Sequence, residues 1–155
     1  GDNYEPSSSH VIPALINKFQ SAKNKNSKNV ICWGTGKPFR EFLYVDDLAD
    51  ACIFALEHWD LNDDKAPINA SKEKLFWLNV GSGKEISIKD LAKLISRLID
   101  YKGEIIWDKS KPDGTPRKLL DSSKLRDLGW EPKMDLEAGL KLSIQEFKNY
   151  FPIKV

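Results

Sequence analysis

Long apolar runs are missing from this chain. None comes near the roughly 18 residues that a membrane-spanning helix needs, so no membrane partner is expected. The opening residues, Gly1 to Pro6, are polar and turn-like and lack the charged-then-apolar pattern of a signal peptide. An excess of one charge is missing as well. With 24 basic against 23 acidic residues the formal net charge is +1, too balanced for general electrostatic binding to nucleic acid. Cysteine is scarce. Cys32 and Cys52 lie in apolar segments, outside any Cys-x-x-Cys pair and without a histidine at metal spacing. A disulfide framework and a bound metal are therefore not expected, and both residues are read as buried thiols in a reducing compartment, the cytoplasm. Complete phosphate loops are also lacking. Gly34-Thr35-Gly36-Lys37 is followed by Pro38 and has no glycine five residues before Gly36, so it is not a nucleotide-binding P-loop. Gly81-Ser82-Gly83 lacks the third glycine of the dinucleotide fingerprint.

What is present is enough for one domain of ordinary size: 155 residues, 41% hydrophobic and 30% charged. The chain reads as though it starts in mid-loop, cut from something longer. Val11, Ile12, Leu15, Ile16 and Phe19 recur at helical spacing after Ser7-Ser8-Ser9, which predicts a serine-capped helix from about Ser9 to Ala22 with Pro13 in its first turn. Asn29 to Trp33 reads as a short buried strand, residues 34 to 38 as a turn and Phe39 to Val45 as a second strand. A helix from about 47 to 58 follows, with Asp46 and Asp47 complementing its dipole and Leu48, Ala51, Cys52, Ala55 and Leu56 as its buried face. Residues 60 to 74 read as a polar loop and Leu75 to Val80 as a strand. Ser87 and Asp90 form a capping-box pattern ahead of a helix burying Leu91, Leu94, Ile95 and Leu98. Glu104 to Trp107 reads as another strand. Ser122 is expected to cap a short helix that Gly129 stops, and Asp135 to cap a last helix with Leu136, Leu140, Ile144 and Phe147 on one side. Strands alternating with helices indicate an α/β chain with some parallel pairing. The strands are too few for a complete doubly wound sheet.

The densest local signal is Lys111-Pro112-Asp113-Gly114-Thr115-Pro116-Arg117-Lys118. Two prolines bar a helix and Asp113-Gly114 is a turn pair. The result is a stiff loop holding Arg117 and Lys118, suited to gripping a phosphorylated small molecule; the alternative is a solvated surface loop. His10 at a helix start is either a proton donor and acceptor or a capping or surface residue, whereas His58 beside Trp59 reads as structural. Arg40, sharing a strand face with Phe42, needs either a ligand or a carboxylate such as Asp46 or Asp47. Trp33, beside a glycine turn, either stacks on a flat or sugar-like ligand or packs in the core. No Ser-His-Asp set is placed by spacing, and no complete catalytic machinery assembles from these residues.

Five segments together resemble the GDP-L-fucose synthase branch of the extended short-chain dehydrogenase/reductase family. They are Ser9-His10-Val11-Ile12-Pro13-Ala14-Leu15, Trp33-Gly34-Thr35-Gly36, Arg40-Glu41-Phe42-Leu43-Tyr44-Val45-Asp46-Asp47, Asn79-Val80-Gly81-Ser82-Gly83 and the stretch from Lys111 to Asp121. The likeness runs along nearly the whole chain. It implies enzymes that epimerise GDP-4-keto-6-deoxy-D-mannose at C3 and C5 and then reduce the C4 ketone with NADPH. It implies that His10 is the acid of epimerisation, close to the nicotinamide cofactor. Lys18, Trp33, Arg40 and Asp113 are substrate contacts by the same resemblance, and Lys118 lies at the nucleotide-sugar end. Lys18 stands where the family often has arginine, which keeps the charge but loses a bidentate grip. The family's NADP loop, its Ser-Tyr-Lys set and its cysteine base all precede the region matched here. Neither Cys32 nor Cys52 takes the place of that base, and neither Tyr4 nor Tyr44 is followed by lysine four residues on. The resemblance thus implies a C-terminal, substrate-binding portion (residues 1–155) with a short mixed sheet, flanking helices and the Rossmann core largely absent. It is expected to be inactive without an N-terminal NADP-binding half or partner chain, the full-length family being homodimeric. The alternatives are the substrate domain of another GDP- or UDP-sugar epimerase, dehydratase or reductase, or a non-catalytic nucleotide-sugar-binding module.

Overall fold

The computed structural model describes residues 2–5 and 8–150. Ten elements follow in chain order: α1 (Val11–Asn24), β1 (Asn29–Trp33), β2 (Phe39–Glu41), α2 (Val45–His58), β3 (Glu85–Ser87), α3 (Ile88–Ile99), β4 (Glu104–Asp108), β5 (Arg117–Lys118), α4 (Ser123–Asp127) and α5 (Leu136–Tyr150). β1 and β4 pair in parallel, Asn29 opposite Glu104 through Trp33 opposite Asp108. β3, β2 and β5 form a second sheet in that order. The chain is α/β, as the alternation of patterns predicts. It divides into two compact units, one from the described parts of Gly1–Arg40, Ile86–Arg117 and Glu137–Val155, the other from Glu41–Glu85 and Lys118–Leu136.

In the first unit α1 packs on α3 and on β1. Ile16, Phe19, Leu91, Ile95 and Ile99 are almost wholly buried, and each such side chain contributes roughly 1.5–3 kcal/mol on leaving water. Tyr4 and Phe147 pack with tilted rings, 4.8 Å between centroids, and Arg97 on α3 donates to Glu137 on α5 at 2.7 Å. The helix caps differ from each other. His10, not a serine, is the N-cap of α1 and makes no side-chain cap bond. Ser87 caps α3 as its pattern predicts, accepting from the Asp90 amide at 3.0 Å, but it is the Ser87 hydroxyl rather than its amide that donates to the Asp90 carboxylate, at 2.6 Å. β1 alternates exposed and buried residues rather than being buried throughout, because one face meets α1 and the other carries Ile31 and Trp33 outward.

In the second unit Ala51, Leu125 and Trp130 form the core, with Leu43, Phe54, Leu78 and Val80 packed against it. Asp47, almost fully buried, accepts from the amides of Lys133 and Met134 at 3.2 and 2.9 Å. Asp50 accepts from the Trp130 indole and the Lys133 ammonium, both at 3.0 Å. His58 is structural, stacked on Phe54 and bonded to its carbonyl oxygen.

Several expectations are corrected here. The strand read over 39–45 stops at Glu41, because Tyr44 is already the N-cap of α2. The apolar face read for α2 is largely exposed: Leu48 and Leu56 are 44% and 87% accessible, and Cys52 is exposed while Cys32 is buried. Only Ala51 and Asp47 of that helix are buried, since the packing partners lie on the other side. Leu75–Val80 forms no strand; extended backbone needs a neighbour to pair with, and Phe76 and Trp77 stand 70% accessible instead. Ser122 does not cap α4 through its side chain, donating to the Gly81 carbonyl oxygen at 3.3 Å.

Candidate functional site

The site begins with the turn that leaves β1. Gly34 and Gly36 both have left-handed φ, +77° and +73°, which side-chain-bearing residues rarely adopt. A Cβ on Gly34 would overlap the Asp113 carboxylate, and one on Gly36 would lie 2.7–2.9 Å from the Trp107 ring. The turn is pinned at both ends. The amides of Ile88 and Lys89, in the first turn of α3, donate to the carbonyl oxygens of Pro38 and Gly36 at 2.9 and 2.8 Å. Opposite, Thr35 donates its amide to Asp113 Oδ1 at 2.5 Å and its hydroxyl to Oδ2 at 2.7 Å. These bonds, the Thr35 amide first, hold the Asp113 carboxyl below the usual carboxylate range. The stiff loop expected over 111–118 is therefore tied to the Gly34–Pro38 turn by a carboxylate clasp, a contact between residues 78 apart in sequence.

Trp33 is not a core residue. It ends β1 with 62% of its surface accessible. The Lys18 ammonium lies 5.1 Å from its ring centroid and the Lys111 ammonium 5.7 Å, both within cation–π range. Lys18 also donates to the Ile31 carbonyl oxygen at 3.0 Å. Its charge pulls down the thiol of Cys32, although burial outweighs that and leaves the thiol raised. Arg40 donates to its neighbour's carbonyl oxygen, on Phe39, at 2.6 Å. Its guanidinium stands 3.7 Å from where a Cβ on Gly114 would be. No carboxylate partner of Arg40 occurs among the described residues, Asp47 being taken up by backbone amides. Lys18, Trp33, Arg40 and Asp113 thus gather around one loop of the first unit. His10 lies at the start of α1, about 12 Å along the helix axis from Lys18 at 1.5 Å per residue; it is exposed and makes no side-chain cap bond. Lys118 is exposed in β5 and belongs to the second unit.

Sequence reasoning passed over two residues. Thr35, which holds Asp113, was read only as part of a turn; a hydroxyl between two glycines gives no long-range signal. Lys111 was read only as part of its loop. The sequence also holds Tyr150 and Lys154 at Tyr-x-x-x-Lys spacing, and residues 151–155 lie outside those described. Among the described residues no group of His, Cys, Asp and Glu is placed to hold a metal ion, and no helix is long and apolar enough to cross a membrane.

The model of the NAD dependent epimerase/dehydratase family matches residues 1–71. A probable GDP-L-fucose synthase 1 of Oryza sativa subsp. japonica is 48% identical over 149 residues, 96% of this chain and 40% of that protein. The chain is similar, along nearly its whole length, to the C-terminal part of GDP-L-fucose synthases. The GDP-L-fucose synthase of Escherichia coli (strain K12) is 46% identical, covering 94% of this chain and 44% of its own. The chain thus spans about two fifths of the length of these curated relatives. Among solved structures, a GDP-6-OMe-4-keto-L-xylo-heptose reductase from C. jejuni has a TM-score of 0.82 at 30% identity, covering 96% of this chain and 50% of that one. A GDP-L-fucose synthetase from Naegleria fowleri bound to NADP has a TM-score of 0.77 at 26% identity, covering 97% and 44%.

Proposed function

We propose that this chain is the substrate-binding portion of a GDP-L-fucose synthase, holding GDP-4-keto-6-deoxy-D-mannose while it is epimerised and reduced. The observation that carries the reading is the 48% identity to a probable GDP-L-fucose synthase over 96% of the chain. The gathering of Lys18, Trp33, Arg40 and Asp113 around one loop supports it. Trp33 offers an exposed apolar plate, Lys18 and Arg40 offer charge for a diphosphate, and Asp113 holds the loop while keeping lone pairs for a sugar hydroxyl. Lys118 serves the nucleotide-sugar end. His10, exposed at its helix start, is the acid of epimerisation and touches the edge of the cofactor.

That cofactor is NADPH, which supplies hydride to the C4 ketone. The described residues do not form a dinucleotide site by themselves: the Gly34–Gly36 turn leads into strand β2 and Gly81–Gly83 into strand β3, whereas a pyrophosphate sits on a glycine turn opening a helix. We therefore assign NADPH mainly to an N-terminal half or partner chain, which also covers the exposed apolar face of α2. The complete enzyme is a cytoplasmic homodimer in this reading, and the 155-residue chain alone turns over no substrate.

Calorimetric titration with GDP- and UDP-sugars tests the assignment. GDP-sugar binding that Trp33→Ala weakens about tenfold is the expected result, on the order of the 1–3 kcal/mol that aromatic stacking contributes. Preference for UDP-sugars would refute it. NADPH consumption by the isolated chain with GDP-4-keto-6-deoxy-D-mannose would refute the claim of inactivity. The heptose reductase neighbour favours a second reading, a different GDP-4-ketosugar at the same site, which substrate competition would reveal.

A further inference from the structure

Lys111 and Lys18 share an indole, and neither has a carboxylate partner within ion-pair distance among the described residues. The Lys18 ammonium uses one of its three donors on the Ile31 carbonyl oxygen, leaving two. Lys111 directs its ammonium over Trp33. Its charge acts at a distance on Asp108, whose Oδ1 accepts from the amide and hydroxyl of Ser110 at 3.0 and 2.6 Å. The Lys111 amide bonds to the Asp108 carbonyl oxygen, Pro112 stiffens the next position, and the Thr35–Asp113 clasp anchors the loop two residues on. The stem of Lys111 is thus held at its base and its charge is left unspent. Two like charges 5.1 and 5.7 Å from one exposed ring centroid repel, and a polyvalent anion bound by both offsets that repulsion.

We infer that Lys111 is a phosphate-binding residue, forming with Lys18 a two-lysine grip on the diphosphate of the nucleotide sugar whose flat or sugar portion lies on Trp33. An ammonium is a point charge and cannot fork as a guanidinium does, so a lysine at position 18 grips a diphosphate at one point; Lys111 supplies a further point on the Trp33 side, in addition to the Arg40 guanidinium. The inference rests on the proposed nucleotide-sugar function for the ligand's name, but not for its chemistry, which requires only a phosphate dianion.

The test uses the complete natural polypeptide that carries this sequence, titrated calorimetrically with GDP, with inorganic pyrophosphate and with guanosine at several salt concentrations. Lys111→Met keeps the alkyl stem and removes the charge. It is expected to weaken GDP and pyrophosphate about tenfold, the scale of one charge-assisted hydrogen bond, to leave guanosine unchanged, and to lower the salt dependence of GDP binding. Lys111→Arg is expected to restore affinity, and Lys18→Met to lose less in the Lys111→Met background than alone. Wild-type binding of GDP with no change in Lys111→Met overturns the inference and leaves the nucleotide-sugar reading standing. Pyrophosphate binding that depends on Lys111, without any preference for GDP, supports the inference and sinks that reading. Equal loss of guanosine affinity, or no rescue by arginine, marks Lys111 as merely structural and also overturns it.

Discussion

Replacing Gly36 by alanine is expected to destabilise the first unit by about 2–5 kcal/mol, through two separable causes. The backbone at Gly36 has φ of +73°, and an L-residue in that left-handed region costs roughly 1–2 kcal/mol. The new methyl would also stand 2.7–2.9 Å from three atoms of the Trp107 ring, so the ring must turn away. Overpacking of that kind costs about 1–3 kcal/mol. Trp107 is in β4, opposite Cys32 of β1, and its displacement therefore strains the parallel pair. Trp107→Leu removes the obstructing ring and separates the two causes. In that background Gly36→Ala is expected to cost only the backbone share, about 1–2 kcal/mol. Equilibrium urea unfolding followed by far-ultraviolet circular dichroism, compared through the midpoints at constant slope, reads both values in a double-mutant cycle. Equal costs in the two backgrounds would show that the ring overlap is irrelevant. A cost below about 0.5 kcal/mol in the wild-type background would refute the backbone argument as well.

Three further outcomes follow from the same structure. Leu125→Ala, at a site with 1% of its surface accessible in the core of the second unit, is expected to lose about 2–5 kcal/mol by urea unfolding; a loss under about 1 kcal/mol would mean that the core is not closed there. The Asp113 carboxyl is held low, first by the Thr35 amide and then by its hydroxyl, so the clasp's contribution is present above the ordinary carboxylate pKa and is lost as pH falls through the lowered folded value. Thr35→Val keeps the amide's hydrogen bond and removes the hydroxyl's, so the Asp113 titration, followed by carboxyl carbon NMR, should move part of the way back up towards the ordinary range, and an unmoved titration contradicts the hydroxyl's share in the clasp. Cys52 is exposed and Cys32 buried with a raised thiol pKa, so in the 155-residue chain alone a thiol reagent at pH 8 should modify Cys52 quickly and Cys32 slowly. Loss of the fast phase in Cys52→Ser confirms the order, and its survival reverses it.

Much of the architecture was legible in local chemistry. The cap at Ser87 and the apolar spacing of α1, α3 and α5 depend on residues three or four apart, and so does the turn at Gly34–Pro38; each appears where its pattern predicts. The misreadings share one cause. Leu75–Val80 has the composition of a strand, and α2 has a wide apolar face, but a strand needs a ladder partner and an apolar face needs a surface against it. Neither is provided among the described residues. The sequence leaves Arg40 a choice between a ligand and an ion pair with Asp46 or Asp47, and only the folded chain shows Asp47 occupied by the amides of Lys133 and Met134.

The loop from Lys111 to Lys118 shows where the two kinds of information divide. By itself the sequence determined that this segment is stiff, turned and cationic, because proline, glycine and lysine impose those properties wherever they stand. It also determined the family likeness, which is carried by short contiguous motifs. The tertiary structure alone decided what the loop is joined to: Asp113 reaches Thr35 and Lys111 reaches Trp33, each across more than 75 residues of chain. These two contacts arise because β1 and β4 pair and bring the ends of both strands together.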